Sequence, residues 1–151
     1  MLAIVFQINA AHYALSCENV VEVIPRVVLQ PLARPVAGVA GLFVYRGNVM
    51  PVVDLCAMIG GYACPMRLSS RIVVVRAGPT LESGLLIGLL AEHVTEARRV
   101  EAREHAAETF GKPEFLKQTL LENGQILQMI DTAAMLGSIE AAVPPALGGG
   151  A

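Results

Sequence analysis

No stretch of about 18 unbroken apolar residues occurs in this chain, so no membrane-spanning helix is expected, although mean hydropathy is positive at +0.57. Charge is scarce. Asp, Glu, Lys and Arg make up 16 % of 151 residues, with a formal net charge of −2 and a pI near 5.9. There is no basic block, so nucleic acid and anionic membranes are not expected as partners. The start, Met1-Leu2-Ala3-Ile4-Val5-Phe6, lacks the basic segment of a signal peptide and is interrupted by Gln7 and Asn9. It reads as a strand of a cytoplasmic protein. Cysteines are few: Cys17, Cys56 and Cys64, none at C-x-x-C spacing. Buried reduced thiols are expected, and no metal site, since zinc calls for better-spaced ligands.

Catalytic motifs are missing as well. The sequence has no G-x-S-x-G, H-E-x-x-H, P-loop or G-x-G-x-x-G pattern. His12, His93 and His105 are scattered and read as surface or turn residues. Without a convergent polar set, neither an enzyme nor a cofactor is expected.

What is present is core material, since 54 % of residues are hydrophobic. That suits one domain, or two small lobes sharing a core. The chain is organised around residues 38–55, where Leu42–Tyr45 and Val49–Val53 flank Arg46-Gly47-Asn48. This reads as a tight β-hairpin, with Gly47 and Asn48 tolerating positive φ and Arg46 alone at an otherwise apolar tip. Asp54 should end the second strand and cap a helical turn over Leu55–Ile59, closed by Gly60-Gly61. A related pattern returns near the end. Asn123-Gly124 is the strongest hairpin signal, Gln125–Ile130 follows as a strand, and Asp131 should cap a helix from Thr132 to Leu136, stopped at Gly137.

Between these lie further short strands: Leu2–Asn9, Tyr13–Leu15, Val20–Ile24, Val27–Gln30, Arg71–Arg76, Gly84–Leu90 and Glu114–Leu121. Period two groups Val20, Glu22 and Ile24 on one face of their strand. Residues 60–70 form a loop that marks a lobe boundary, and residues 98–109 are polar, with short strand or helix left open. Short strands separated by turns predict an all-β, barrel-like architecture.

Several segments together resemble the CheW-like coupling domains of bacterial chemosensory arrays. They are G-V-A-G-L-F-V-Y-R-G-N-V-M-P-V-V-D-L (38–55), F-Q-I-N-A-A-H-Y-A-L (6–15), Val20-Val21-Glu22-Val23, Pro31…Pro35-Val36…Gly38, residues 87–97 and E-N-G-Q-I-L-Q-M-I-D-T-A-A-M-L (122–136). Glu92 and Ala97 depart from the family's usual Asp and aliphatic residue. Phe43-Val44-Tyr45 resembles coupling proteins of alternative, Wsp-type systems. The resemblance implies two five-stranded SH3-like barrel lobes sharing a core within a single domain over 1–139. Lobe 1 would span about 10–66. Lobe 2 would span about 67–131 and take in strand 2–9. Helix 132–136 and a flexible tail over 140–151 would complete the chain.

The resemblance further implies a non-enzymatic adaptor, located at membrane-associated receptor arrays, between the tips of methyl-accepting chemoreceptors and the regulatory domain of a CheA-type histidine kinase. Val20, Glu22, Gly41, Arg46 and Val94 would face the receptor, and Val52 and Ile59 the kinase. Glu22 would hold Arg46 if their strands are neighbours. Sheet edges leave self-association open. The rival reading is a ligand-binding or hydrolytic barrel with a cleft near Glu22, Arg46 and Asp54.

Overall fold

A computed structural model describes residues 1–77, 84–101, 103–104 and 113–142. They form two curled sheets. The first contains β1 (Leu2–Ile8), β2 (Ala11–Ser16), β8 (Arg98–Arg99), β9 (Arg103–Glu104), β10 (Leu116–Glu122) and β11 (Gln125–Ile130), in the order β8-β1-β2-β11-β10-β9. The second contains β3 (Val20–Pro25), β4 (Val39–Tyr45), β5 (Asn48–Asp54), β6 (Arg71–Arg76) and β7 (Leu86–Ala91), in the order β3-β6-β7-β5-β4. A π-helical turn, Cys56–Gly60, comes after β5, and α1 (Thr132–Ala142) comes after β11.

The two sheets share a topology. Each joins an antiparallel hairpin to a second hairpin through one parallel pair, β2 with β11 and β7 with β5. The turns match too. Arg46-Gly47 have φ of 47° and 81°, and Asn123-Gly124 have 50° and 78°. Each second hairpin ends in an aspartate that caps the helical segment after it. Asp54 Oδ1 accepts from Ala57 N at 3.1 Å, and Asp131 Oδ1 from Ala134 N at 3.0 Å. The sequence echo between residues 48–59 and 125–136 thus corresponds to one structural unit used twice.

The expected lobe division is corrected by the pairing. Strands from Val20 to Ala91 form one sheet, while residues 2–16 and 98–130 supply the other. Loop 60–70 is no boundary. It returns the chain to β6, which pairs with β3 and β7 of the same sheet. β2, assigned from sequence to the first lobe, pairs with β1 and β11.

β1 joins the sheets because both of its faces are apolar. Ile4, Phe6 and Ile8 enter the principal core with Val52, Val53, Ile72–Val75 and Leu89, while Ala3 and Val5 enter a smaller core with Leu120, Leu127 and Met129. This is period two in use: alternate side chains of one strand fill two different interiors. Met135 of α1 is wholly buried and seals the principal core.

Three further expectations change. Gly137 does not stop α1, which continues to Ala142 through residues assigned from sequence to the tail; residues 143–151 lie outside those described. Val27–Gln30 makes only an isolated bridge, Gln30 to Leu42. In 98–109, β8 and β9 are two-residue strands, with 102 and 105–109, His105 included, outside the described residues.

Candidate functional site

Arg46 stands at the tip of the β4–β5 hairpin in a left-handed conformation. The two-residue turn needs positive φ at both Arg46 and Gly47, while Asn48 already belongs to β5. Asn, Asp or Gly would be the usual choice at the first position, and a long side chain there carries strain on the order of 1 kcal/mol. Arg46 Nη2 lies 3.1 Å from Glu22 Oε2, and the Tyr45 hydroxyl donates to the same oxygen. The guanidinium also sits 5.1 Å from the centre of the Tyr45 ring. Hydrogen bonding to the Glu22 carboxylate, with burial second, raises the Tyr45 pKa.

β3 and β4 are opposite edges of their sheet, so this contact joins its two ends. The expected meeting of Glu22 and Arg46 therefore holds, but across a barrel seam between edges, not along paired strands. The other sheet carries a comparable ion pair, between its edge strand β8 and β10, the strand next to its opposite edge. Arg98 of β8 makes a two-pronged ion pair with Glu122 of β10, at 2.9 and 3.3 Å, and Glu122 also accepts from Glu101 N at 2.9 Å. Hydrogen bonding to Arg98 holds the Glu122 carboxyl below its usual range.

Where the two sheets meet, an open groove of about 390 Å³ is lined by Ile4, Val23, Arg71, Val94, Thr95, Glu96 and Ala97. Segment 93–97 crosses between the sheets and is pinned at both. Val94 N donates to Ser69 O at 3.2 Å, and Thr95 donates to Val5 O from its N at 3.1 Å and its hydroxyl at 2.9 Å. His93 makes the turn with φ of 50°. The result is an apolar floor with a polar rim of both signs.

The remaining expected residues separate. A β-bulge in β3 sets Val20 opposite Val75 and Glu22 opposite Val74, adjacent residues on opposite faces, so Val20 and Glu22 do not share a face. Val20 instead packs against the principal core. Val23, which sequence reasoning passed over, is 36 % exposed and faces the groove beside Val94. Gly41 is buried, and a Cβ there would lie 2.6 Å from Gln30 O, so its role is to admit the segment that bonds to Leu42. Val52 is wholly buried and cannot face a partner, and Ile59 is half-buried against the core.

An exposed apolar patch does exist on the same hairpin. Val44 and Val49 are cross-strand partners, 64 % and 67 % exposed, and border a shallow depression with Val28, Gln30, Leu42 and Phe43. Val49 alternates with buried Met50, and that period could have marked it.

Asp54 lies at the far end of β5 from the hairpin tip, roughly 20 Å away at strand rise. Both its oxygens accept backbone N–H groups, from Ala57 and, at 2.9 Å, from Cys64. Glu22, Arg46 and Asp54 therefore do not form one cleft. Asp54 instead belongs to a buried group with Cys56 and Cys64, their ligand atoms all within 4.8 Å of one another. The interaction between the two neighbouring thiols, ahead of burial, pushes the pKa of Cys56 up and that of Cys64 down. Glu92 approaches from after β7, its Oε2 3.8 Å from Cys56 Sγ and 2.6 Å from the Tyr62 hydroxyl.

Compared with protein families, residues 2–140 match the CheW-like domain. Among solved structures, the chain is similar to the scaffolding protein TtCheW from Thermoanaerobacter tengcongensis. The TM-score is 0.71 at 22 % identity, covering 86 % of this chain and 83 % of that one. At that identity the likeness is one of fold: two SH3-like lobes around a shared core. No curated protein matches by sequence.

Proposed function

The chain belongs to the CheW-like domain family, a family of chemosensory scaffolding proteins and not of enzymes, and from that premise we propose that it bridges chemoreceptor tips and a CheA-type histidine kinase. One observation carries the receptor half: the apolar groove between the sheets, floored by Ile4, Val23 and Val94 and rimmed by Arg71 and Glu96. A receptor tip is a helical hairpin. One apolar stripe of such a helix fits a groove of this form, and the rim charges fix its register. Arg46 extends the interaction from the hairpin tip, where it can reach a carboxylate or helix-end carbonyls.

The kinase regulatory domain docks on the Val28, Val44 and Val49 patch. Contiguous exposed aliphatics mark interaction surfaces more readily than isolated ones. This surface replaces the expected Val52 on the same strand. The protein works in the cytoplasm at the receptor array. Among the described residues, no helix is long and apolar enough to cross a membrane.

Titration calorimetry of the full chain, against the kinase regulatory domain and separately against a receptor tip fragment, tests the bridge. Micromolar binding to both is expected, about −8 kcal/mol each. Val23→Glu should abolish the receptor titration and spare the kinase one, and Val49→Glu should do the reverse. Binding to neither partner by folded protein would refute the adaptor reading.

A further inference from the structure

We propose that Asp54, Cys56, Cys64 and Glu92 form a binding site for one thiophilic divalent cation of the Zn(II) class. The donors come from three separate segments: the end of β5 with its π turn, the loop after it, and the residue next to the end of β7. All four residues are buried: Cys56 at 0 %, Cys64 at 4 %, Glu92 at 6 % and Asp54 at 8 % exposure. Of the chain's three cysteines, the fold brings two to one point beside two carboxylates.

Burying two carboxylates costs free energy that hydrogen bonds from Ala57, Cys64 and Tyr62 offset in part, and a positive charge close by would offset it further. Arg26 donates to the carbonyls of Cys64 and Pro65, at 2.7 and 3.1 Å, and Arg67 lies 3.9 Å from Glu92 with most of its side chain in solvent. Neither guanidinium is bonded to a sulfur or to Asp54. A divalent cation is the more direct counter-charge.

The donor chemistry selects the ion. Two sulfurs and two carboxylate oxygens are too soft for magnesium or calcium and suit zinc in tetrahedral geometry. Zinc–ligand distances of about 2.0–2.3 Å place donors ~3.3–3.8 Å apart. The donors of Asp54, Cys56 and Cys64 lie within 4.8 Å of one another and must draw closer around an ion, while Glu92, 3.8 Å from Cys56, must also swing toward the other two to complete the set. On binding, each thiol still protonated gives its proton to solvent, and the thiolate lone pair forms the bond to the metal. Asp54 can ligate while keeping its backbone amides, and Tyr62 donating to Glu92 supplies an outer hydrogen bond of the kind that orients ligands. Such an ion would tie the π turn to the loop that leads to Ser69 and Arg71, and so to one wall of the groove.

The test uses the full chain, kept reduced, with Co(II) as spectroscopic probe and Zn(II) as competitor. One equivalent of Co(II) should give sulfur-to-cobalt charge-transfer bands and the strong visible bands of a four-coordinate ion, and Zn(II) should bleach both. Cys56→Ala and Cys64→Ala should each abolish the charge-transfer bands, Cys17→Ala should leave them intact, and Glu92→Gln should weaken binding by about tenfold or more. Should either alanine variant unfold, alkylation of the wild-type chain decides: Zn(II) should slow labelling of Cys56 and Cys64 but not of Cys17. Folded wild-type protein without charge-transfer bands would overturn the site. So would bands that persist in the folded Cys56 or Cys64 variants, or labelling rates indifferent to Zn(II).

Discussion

Replacing Arg46 with asparagine separates function from stability at the hairpin tip. Arg46 holds φ of 47°, whereas the matching turn of the other sheet has Asn123 at 50° in the same position. Asparagine enters this region readily, so Arg46→Asn relieves strain on the order of 1 kcal/mol. The same change removes an ion pair whose side chains are 67 % and 41 % exposed. A pair so open to solvent contributes about 0–1 kcal/mol. The contact of the guanidinium with the Tyr45 ring adds ~0.5–1 kcal/mol. The terms nearly cancel, so the variant should lie within about 1 kcal/mol of wild type in urea unfolding, with unchanged m. Arg46→Ala loses the same contacts without relieving the strain and should be the less stable of the two. Receptor-tip binding, measured by calorimetry, should fall for both variants. Loss of more than about 2 kcal/mol in Arg46→Asn would make Arg46 a structural residue. Receptor binding at wild-type strength by the folded variant would remove it from the interface.

Gly41→Ala should destabilise by about 2–3 kcal/mol in the same urea assay, because the new Cβ meets the Gln30 carbonyl, a backbone atom that cannot rotate away. Gly88→Ala, in the middle of β7, should lose about 1–3 kcal/mol, since Ile72, Met50 and Val52 all crowd the added methyl. Glu122 has a lowered folded-state pKa, so its contribution is present above the unfolded carboxyl pKa and lost as pH falls through the folded one. Glu122→Gln should therefore reduce stability at neutral pH, by on the order of 1 kcal/mol, and the deficit should vanish in acid. Urea unfolding of both proteins across an acid titration checks this, and a deficit that persists in acid would point to packing instead.

The local pieces were legible along the chain, because short-range chemistry decides them. Asn123-Gly124 set one hairpin, since few residue pairs reach the φ values such turns require, and Arg46-Gly47-Asn48 marked the other, although the positive φ falls on Arg46 and Gly47 and not on Gly47 and Asn48. Asp54 and Asp131 fixed the caps, since a carboxylate at that point finds an unpaired N–H three residues on. The motif order was enough to suggest the family, and the repeated hairpin-Asp pattern pointed to two like units.

Which strands share a sheet depends on pairing between distant segments. β6 and β7 are apolar on both faces and would suit either lobe by composition, and pairing with β3 and β5 settles it. Exposure was equally hidden. One extra residue in β3 breaks the alternation that grouped Val20 with Glu22, and a buried neighbour strand takes Val52 into the core. The Cys56–Cys64 group is the plainest case. Residues 54, 56, 64 and 92 form no spacing motif, and a turn, a loop and a neighbouring strand end bring them together. Hydrogen bonds between neighbours in sequence can be read along the chain. Contacts made when sheets curl and pack depend on the whole fold, and in this protein they shape the groove, the seam at Glu22 and the thiol cluster.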